Sequence, residues 1–223
     1  MMAGAALCLA LTPAPASADF GNIRRVFTGT AYTLDQGEFA VGIIGPMQYG
    51  VTDSVTLSLH PILELLLTPN LAVKWKLADG SVAVSLNLGY IETFLDPARE
   101  NFPGTISFYP LVTIPFSSRV ALSLEAGYLL DVSPLAHGLL FGGSISGLVT
   151  TADLLTLSVQ EEYYRDDRGF GRPTVLLAYA HAFYQMRITV GIAFGHFPIQ
   201  VGASEADIQD WPLYPVIDLW WQL

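Results

Sequence analysis

The chain of 223 residues is short of charge: only 13% of its side chains are Asp, Glu, Lys or Arg, about half the roughly 25% of an ordinary soluble domain. So few charges cannot clothe a conventional wetted surface. Cations are scarcer still, with ten Lys and Arg against twenty Asp and Glu and a net charge of -10. That excludes a basic patch able to neutralise a phosphate backbone, and with it nucleic acid as a partner. Cysteine occurs once, at Cys8, which rules out an internal disulfide framework and a cysteine metal site. The four histidines, His60, His137, His181 and His196, are scattered and show no zinc-type spacing with carboxylates. No Gly-rich loop follows a strand and opens a helix, so no phosphate cradle is expected either. Neither a cofactor nor an enzymatic activity is expected.

What the chain has in quantity is apolar side chains, 52% of residues. The first of them form a short run from Ala3 to Leu11, followed by Pro13, Pro15 and an Ala16-Ser17-Ala18 triplet of the signal-peptidase type. The expectation is a signal peptide over 1–18 and a single domain over 19–223. Cys8 falls inside the signal, leaving a mature chain without a thiol.

The dominant period is two. From Val120 the chain reads Val-Ala-Leu-Ser-Leu-Glu-Ala-Gly-Tyr, and related stretches start at Val55, Val82 and Leu155, the starts lying 27, 38 and 35 residues apart. Strict alternation of this kind specifies strands, and the uneven spacing describes hairpins with variable loops rather than a solenoid. Each copy follows a short turn and carries a serine at its fourth position: Ser58, Ser85, Ser123 and Ser158. With partners over 26–34, 38–45, 70–78, 105–116, 138–150, 174–184, 186–197 and 214–223, the reading is about twelve strands and no fewer than ten. Connections alternate between short turns and longer loops at 95–103, 131–136, 165–173 and 198–213. That sorting is characteristic of a transmembrane up-and-down antiparallel β-barrel. A helical span over 132–152, uncharged and with Gly138/Gly142 and Gly143/Gly147 pairs, is the competing reading; Pro134 and the alternation through Leu139, Phe141, Ile145 and Val149 disfavour it.

Composition of the two faces sets the orientation. One is large and apolar; the other is Ala83, Ser85, Gly89, Ala121, Ser123, Gly142, Ser144, Ser146, Thr189 and Gly191. Small polar groups suit an interior, so the apolar face looks outward to lipid, the reverse of a soluble barrel. Nine-residue stretches such as 82–90 and 120–128 match the about 9–11 residues of a spanning strand. Tyr90, Tyr128 and Tyr163 end their apolar faces at equivalent heights and read as an aromatic girdle. By alternation Lys74, Lys76, Arg119, Glu125, Arg187 and Asp218 face the lumen, where charge must be paired or wetted.

Two stretches carry a resemblance. Tyr49 to Ser58, Tyr-Gly-Val-Thr-Asp-Ser-Val-Thr-Leu-Ser, resembles a turn of Gram-negative outer-membrane β-barrel proteins of poorly assigned function; Gly50 is expected to relieve the strand end and Asp53 to bond the tight turn. The ending, with Ile217, Leu219, Trp221 and Leu223 alternating, is similar to the assembly signal of that class, though Leu223 stands where the class has an aromatic residue. The resemblance implies a bacterial outer-membrane location, contact with outer-membrane lipid and lipopolysaccharide, and handling by the barrel-assembly machinery. It names no activity.

The first functional reading is a porin-like passive channel or transporter for small solutes, with 198–213 as constriction and Lys74, Lys76 and Arg187 set against Glu125 for selectivity. The alternative is a structural or interaction barrel with a filled lumen, binding lipopolysaccharide or a protein partner through loops. Those loops are rich in acids, namely Asp96, Glu100, Asp166, Asp167, Glu205, Asp207 and Asp210 against Arg99, Arg165, Arg168 and Arg172. A third reading, a membrane-embedded hydrolase, rests on His137 and Ser144 as a nucleophile pair and lacks a third member; Glu161-Glu162 point to opposite faces and cannot converge as acid and base. A closed barrel of this kind should run as a faster band on unboiled than on boiled detergent gels of the outer-membrane fraction. Recovery in the soluble fraction with no such shift defeats the barrel reading.

Overall fold

The computed structural model describes residues 20–43, 45–65, 69–92, 104–132, 135–164, 169–170, 173–195 and 213–223. The expected signal peptide with Cys8, the expected constriction over 198–213 apart from Leu213, His196 and the acidic and basic loop residues named above lie outside the described residues.

The protein is all-β, a closed up-and-down antiparallel barrel of twelve wall strands. In chain order these are β1 (Phe39–Gly42), β2 (Met47–Thr52), β3 (Val55–Leu59), β4 (Asn70–Ala78), β5 (Ala83–Glu92), β6 (Gly104–Pro115), β7 (Val120–Val132), β8 (Leu135–Leu148) and β9 (Asp153–Tyr164). After β10 (Gly169–Phe170), a two-residue strand alongside the end of β9, come β11 (Thr174–Phe183), β12 (Met186–Phe194) and β13 (Leu213–Gln222). Each wall strand pairs with the next, β9 pairs with β11, and β13 returns to β1 through Ala40↔Gln222, Val41↔Trp221 and Gly42↔Trp220. Backbone bonds between Phe39 and Leu223, at 3.0 and 2.7 Å, extend the seam. Closure leaves the ladder without an edge at this end of the wall.

Alternation holds around the ring. In β7 the odd positions Ala121, Ser123 and Leu129 are buried while Leu124 and Tyr128 are exposed. Leu57, Trp75, Leu88, Phe108, Phe141, Leu157, Leu177, Val190 and Ile217, each on a different strand, continue the same outward apolar belt. A belt so complete has no counterpart on an ordinary soluble monomer. The stretch 132–152, the competing helical reading, is strand β8 and its flanking residues.

Three expectations about strands need correction. Residues 26–34 are not the first strand; they run inside the barrel, and β1 takes the place beside β13. Gly29 adopts φ 66°, a left-handed value that breaks an extended strand, and the amides of Ala31 and Leu34 bond to the hydroxyls of Thr113 and Thr56 rather than to a ladder. The stretch 38–45 ends early, at Gly42, because Gly45-Pro46 turns the chain back into β2, which the alternation had not resolved as a separate strand. The loop read over 131–136 shrinks to two residues between Val132 and Leu135, so β7 and β8 form the tallest hairpin, with 13 and 14 residues. The count of twelve is right, with one member exchanged.

The wall is uneven. β1, β2 and β3 have 4, 6 and 5 residues, against 12 to 14 in β6 to β9. The turns after β2, β4, β6, β8 and β11 lie at one end, so this shortfall is taken from the other, where most of the longer loops lie. Near the seam Trp220 is 8% exposed and packs edge-on to Phe27, ring centroids 6.0 Å apart. Trp220→Ala should cost about 3–5 kcal/mol, read from urea unfolding of the folded barrel; a shift below half a kcal/mol would show that this contact does not hold the seam.

Candidate functional site: a plugged lumen

A ring of strands with Ala and Ser on its inner face leaves a void, and the N-terminal segment fills half of it. Phe20, Ile23, Val26, Phe27, Ala31, Tyr32 and Leu34 are each at most 4% exposed. Phe20, Ile23 and Val26 pack on Ala121, Leu148, Leu154, Ala180 and Ala182, inner residues near the short turns. Phe27 and Leu34 pack on Ala40 and Trp220, and Ala31 and Tyr32 on Ala83 and Leu111. Each large side chain so buried gains about 1.5–3 kcal/mol over exposure. The small inner face, read from the sequence as suited to a taper, is the socket for this plug.

Polar bonds fix the plug's register. Ile23–Arg25 form a single 3-10 turn capped by the Asn22 side chain. Lys74 Nζ donates to the carbonyls of Phe27, Thr30 and Tyr32 at 2.7, 2.9 and 3.3 Å, so one ammonium is bonded to three carbonyls of the plug's backbone. Ser144 Oγ donates to the Gly29 carbonyl at 3.4 Å. The Arg187 guanidinium lies 4.4 Å from the Phe20 ring centroid and 5.2 Å from that of Phe27, and donates to Gln222 Oε1 at 2.7 Å. At the short-turn rim Arg24 bonds Asp79 and the Gly80 carbonyl, and Arg25 bonds Glu38; these exposed pairs contribute little each.

The Tyr-Gly-Val-Thr-Asp turn holds the plug's exit. Asp53 Oδ1 accepts from the Gln36 amide at 2.9 Å, and the Asp53 carbonyl accepts from Thr33 Oγ1 at 2.8 Å. The turn itself is bonded by Thr52 Oγ1, which accepts from the Ser54 amide. A Cβ on Gly50 would come within 2.0 Å of the Asp35 carbonyl oxygen, so the glycine makes room for the departing plug, at the point where the β2–β3 register shifts between Gly50 and Thr52.

Above the plug, toward the long loops, remains a cavity of about 450 Å³ floored by Phe27, Thr28 and Gly29. Lys74, Asn87, Tyr109, Glu125 and Gln160 line it, and Leu129, Leu140 and Ile91 stand beside their ladder partners Ser107, Glu162 and Thr105, so apolar and polar side chains alternate around it. Gly142 is where a Cβ would sit 2.3 Å from Glu125 Oε1, so its hydrogen side chain admits that carboxylate to the lumen.

The six charged residues read as lumen-facing separate into roles. Lys74 and Glu125 share the cavity, and Arg187 lies below it against the plug. Lys76 faces inward at the short-turn rim, 3.4 Å from Asp79. Asp218 lies half-buried on β13 and accepts from the Gly45 amide at 3.1 Å. Arg119 is a correction: it sits exposed in the turn between β6 and β7, because β7 begins only at Val120. The pairing of Ser144 with His137 is also overturned. They are seven residues apart on β8, an odd separation, so Ser144 points inward and His137 outward, bonded to the Tyr128 hydroxyl.

On the outer surface Tyr128 and Tyr163 both pair across the ladder with Leu139 and so flank it on either side; Tyr90 pairs with Ile106, whose other neighbour is Leu130. Trp75, Phe183 and Trp221 mark the opposite end. Ile217, Trp221 and Leu223 are exposed and Leu219 half-exposed on the outer face, with Trp220 and Gln222 buried inside. In comparisons with known proteins, no family model and no curated protein matches the chain.

The plug was missed because 26–34 contains enough alternation to pass for a strand. The signal against it was the cluster Arg24-Arg25 just before it and Gly29 within it, on a face that would have to meet lipid. Lys74→Met removes the three charge-assisted bonds, about 1.5–3 kcal/mol. Amide exchange at Ala31 and Leu34 should then speed by roughly ten- to a hundredfold, with strand amides unchanged; equal protection in both proteins would sink the role given to Lys74.

Proposed function

We propose that the protein is a bacterial outer-membrane β-barrel that acts as a small-solute channel held shut by its own N-terminal segment. The observation that carries this is the division of the lumen: plug in the short-turn half, open cavity in the long-loop half. In an outer membrane the short turns face the periplasm and the long loops the outside. Solute would then enter the cavity from outside and cross only when the plug withdraws. The unbroken outer belt of Leu, Val, Phe and Trp side chains supports the lipid environment, and the aromatic side chains at both ends fit its two interfaces. Lipid and lipopolysaccharide would surround that belt, and the terminal strand would be the part read by the barrel-assembly machinery.

A second reading, a filled barrel that works through its loops, is favoured by how fully Phe20 and Ile23 are packed, at 2% and 0% exposure. Conductance separates the two. In planar bilayers the intact protein should be nearly silent, whereas Phe20→Ser with Ile23→Ser and Phe27→Ser should give steady current. Silence of the triple variant, with heat-modifiable mobility intact, would sink the channel and leave the filled barrel.

The membrane setting has its own test. Leu124→Arg, on the outer belt, should cost about 2–4 kcal/mol for folding into bilayers. A cost near zero would mean that this face does not meet hydrocarbon.

A further inference from the structure

Asn87 stands on β5 between Lys74 on β4 and Tyr109 on β6, its neighbours across the two ladders. It lines the cavity, is 7% exposed, and its Nδ2 has no hydrogen-bond partner. A buried amide left unmatched is costly, and each such group in a fold asks for a reason. Glu125 on β7 faces the same space, close enough for its charge to act on both Lys74 and Tyr109. Among the described residues its carboxylate accepts no hydrogen bond. The other lining carboxylate, Glu162, has a partner of its own. Two polar groups facing one cavity are therefore short of hydrogen bonds. Tyr109 adds an aromatic surface beside them. A Cβ on Gly127 would sit 2.1 Å from Tyr109 Cβ, so that glycine lets the tyrosine lie against β7, where it packs on Leu129 and Leu140.

We infer that the cavity binds an uncharged ring sugar of monosaccharide size, its hydroxyls bonded by Glu125 and the Asn87 amide and its C–H face laid on Tyr109, Leu129 and Leu140. This rests on the proposed reading of the cavity as the solute site and names the solute. Charge sets the first limit. All three donors of Lys74 are committed to plug carbonyls, so an anion finds no free ammonium, while the field of that same ammonium opposes a cation beside Glu125. Hydrogen bonding sets the second. A hydroxyl both donates and accepts, so one kind of group serves a carboxylate that only accepts and an amide that can turn to offer either end. Apolar and polar side chains alternate around the lining, and a pyranose likewise carries both characters in one ring, hydroxyls at its edge and C–H groups on its faces. At about 450 Å³ the space lies within the roughly 300–1,000 Å³ of small-molecule sites.

The test uses the full barrel in lauryldimethylamine oxide micelles, a detergent without sugar. Saturation-transfer NMR is run with D-glucose, D-galactose and D-mannose, and with sorbitol, gluconate and choline for comparison. At least one hexose should bind at a single saturable site, with sorbitol, an open-chain polyol, weaker and with no saturable binding of gluconate or choline. Asn87→Leu, which keeps the side-chain volume, should weaken hexose binding about tenfold and yet raise the urea midpoint of the sugar-free barrel, because it removes an unmatched buried donor. Glu125→Gln should weaken binding by a similar factor, and Tyr109→Leu should erase the preference over sorbitol. No saturable hexose binding, gluconate or choline bound as tightly, sorbitol equal to the hexoses, or an unchanged hexose affinity or lowered midpoint in Asn87→Leu would each overturn the inference. Variants are compared only where heat-modifiable mobility shows the closed barrel. Because plug-release current is measured separately, current without hexose binding sinks this inference alone, and binding without current sinks the channel alone.

Discussion

A cylinder of twelve strands encloses more volume than Ala, Ser and Gly on its inner face can fill, and the rest of the structure follows from that mismatch. Interiors are packed to crystal-like density, so an under-filled lumen must take in either water or another part of the chain. Here it takes in both, at different heights. Near the short turns, Ala121, Ala180 and Ala182 accept Phe20, Ile23 and Val26. Further up the lining turns polar and charged, and the space remains.

The division also explains why the cations are where they are. A buried ammonium needs acceptors, and a segment inside a barrel, outside any ladder, has unpaired carbonyls to offer. Lys74 and the turn at Phe27 to Tyr32 therefore satisfy each other. Arg187 meets the same demand through Gln222 and two aromatic faces. Charges that looked like a selectivity filter when only their alternation was known are, in two of these cases, fastenings. Glu125 lines the space above the plug together with Lys74.

The barrel, its strand count and the two faces were legible because period two and side-chain size are local properties of a strand. The inner and outer positions of Ser85, Ser123, Leu124 and Tyr128 could be read two residues at a time. The plug was not legible in that way. Its burial depends on side chains contributed by many strands, from Ala40 and Ala83 to Ala182 and Trp220, and within Val26 to Leu34 only Gly29 interrupts an alternation that otherwise reads as wall. The seam was hidden for the same reason: that β1 and not 26–34 lies beside β13 shows only when the strands are set side by side. Parity alone, by contrast, was enough to separate His137 from Ser144.

Asp35 to Glu38, the four residues that link the plug to β1, make the blocking segment its own tethered ligand. Confined by so short a leash, a displaced plug faces its socket at an effective concentration on the order of millimolar or above. Return is then a first-order event, independent of how much protein the membrane holds. An opening of this barrel would end by itself unless something else occupies the socket or holds the released segment from the far side.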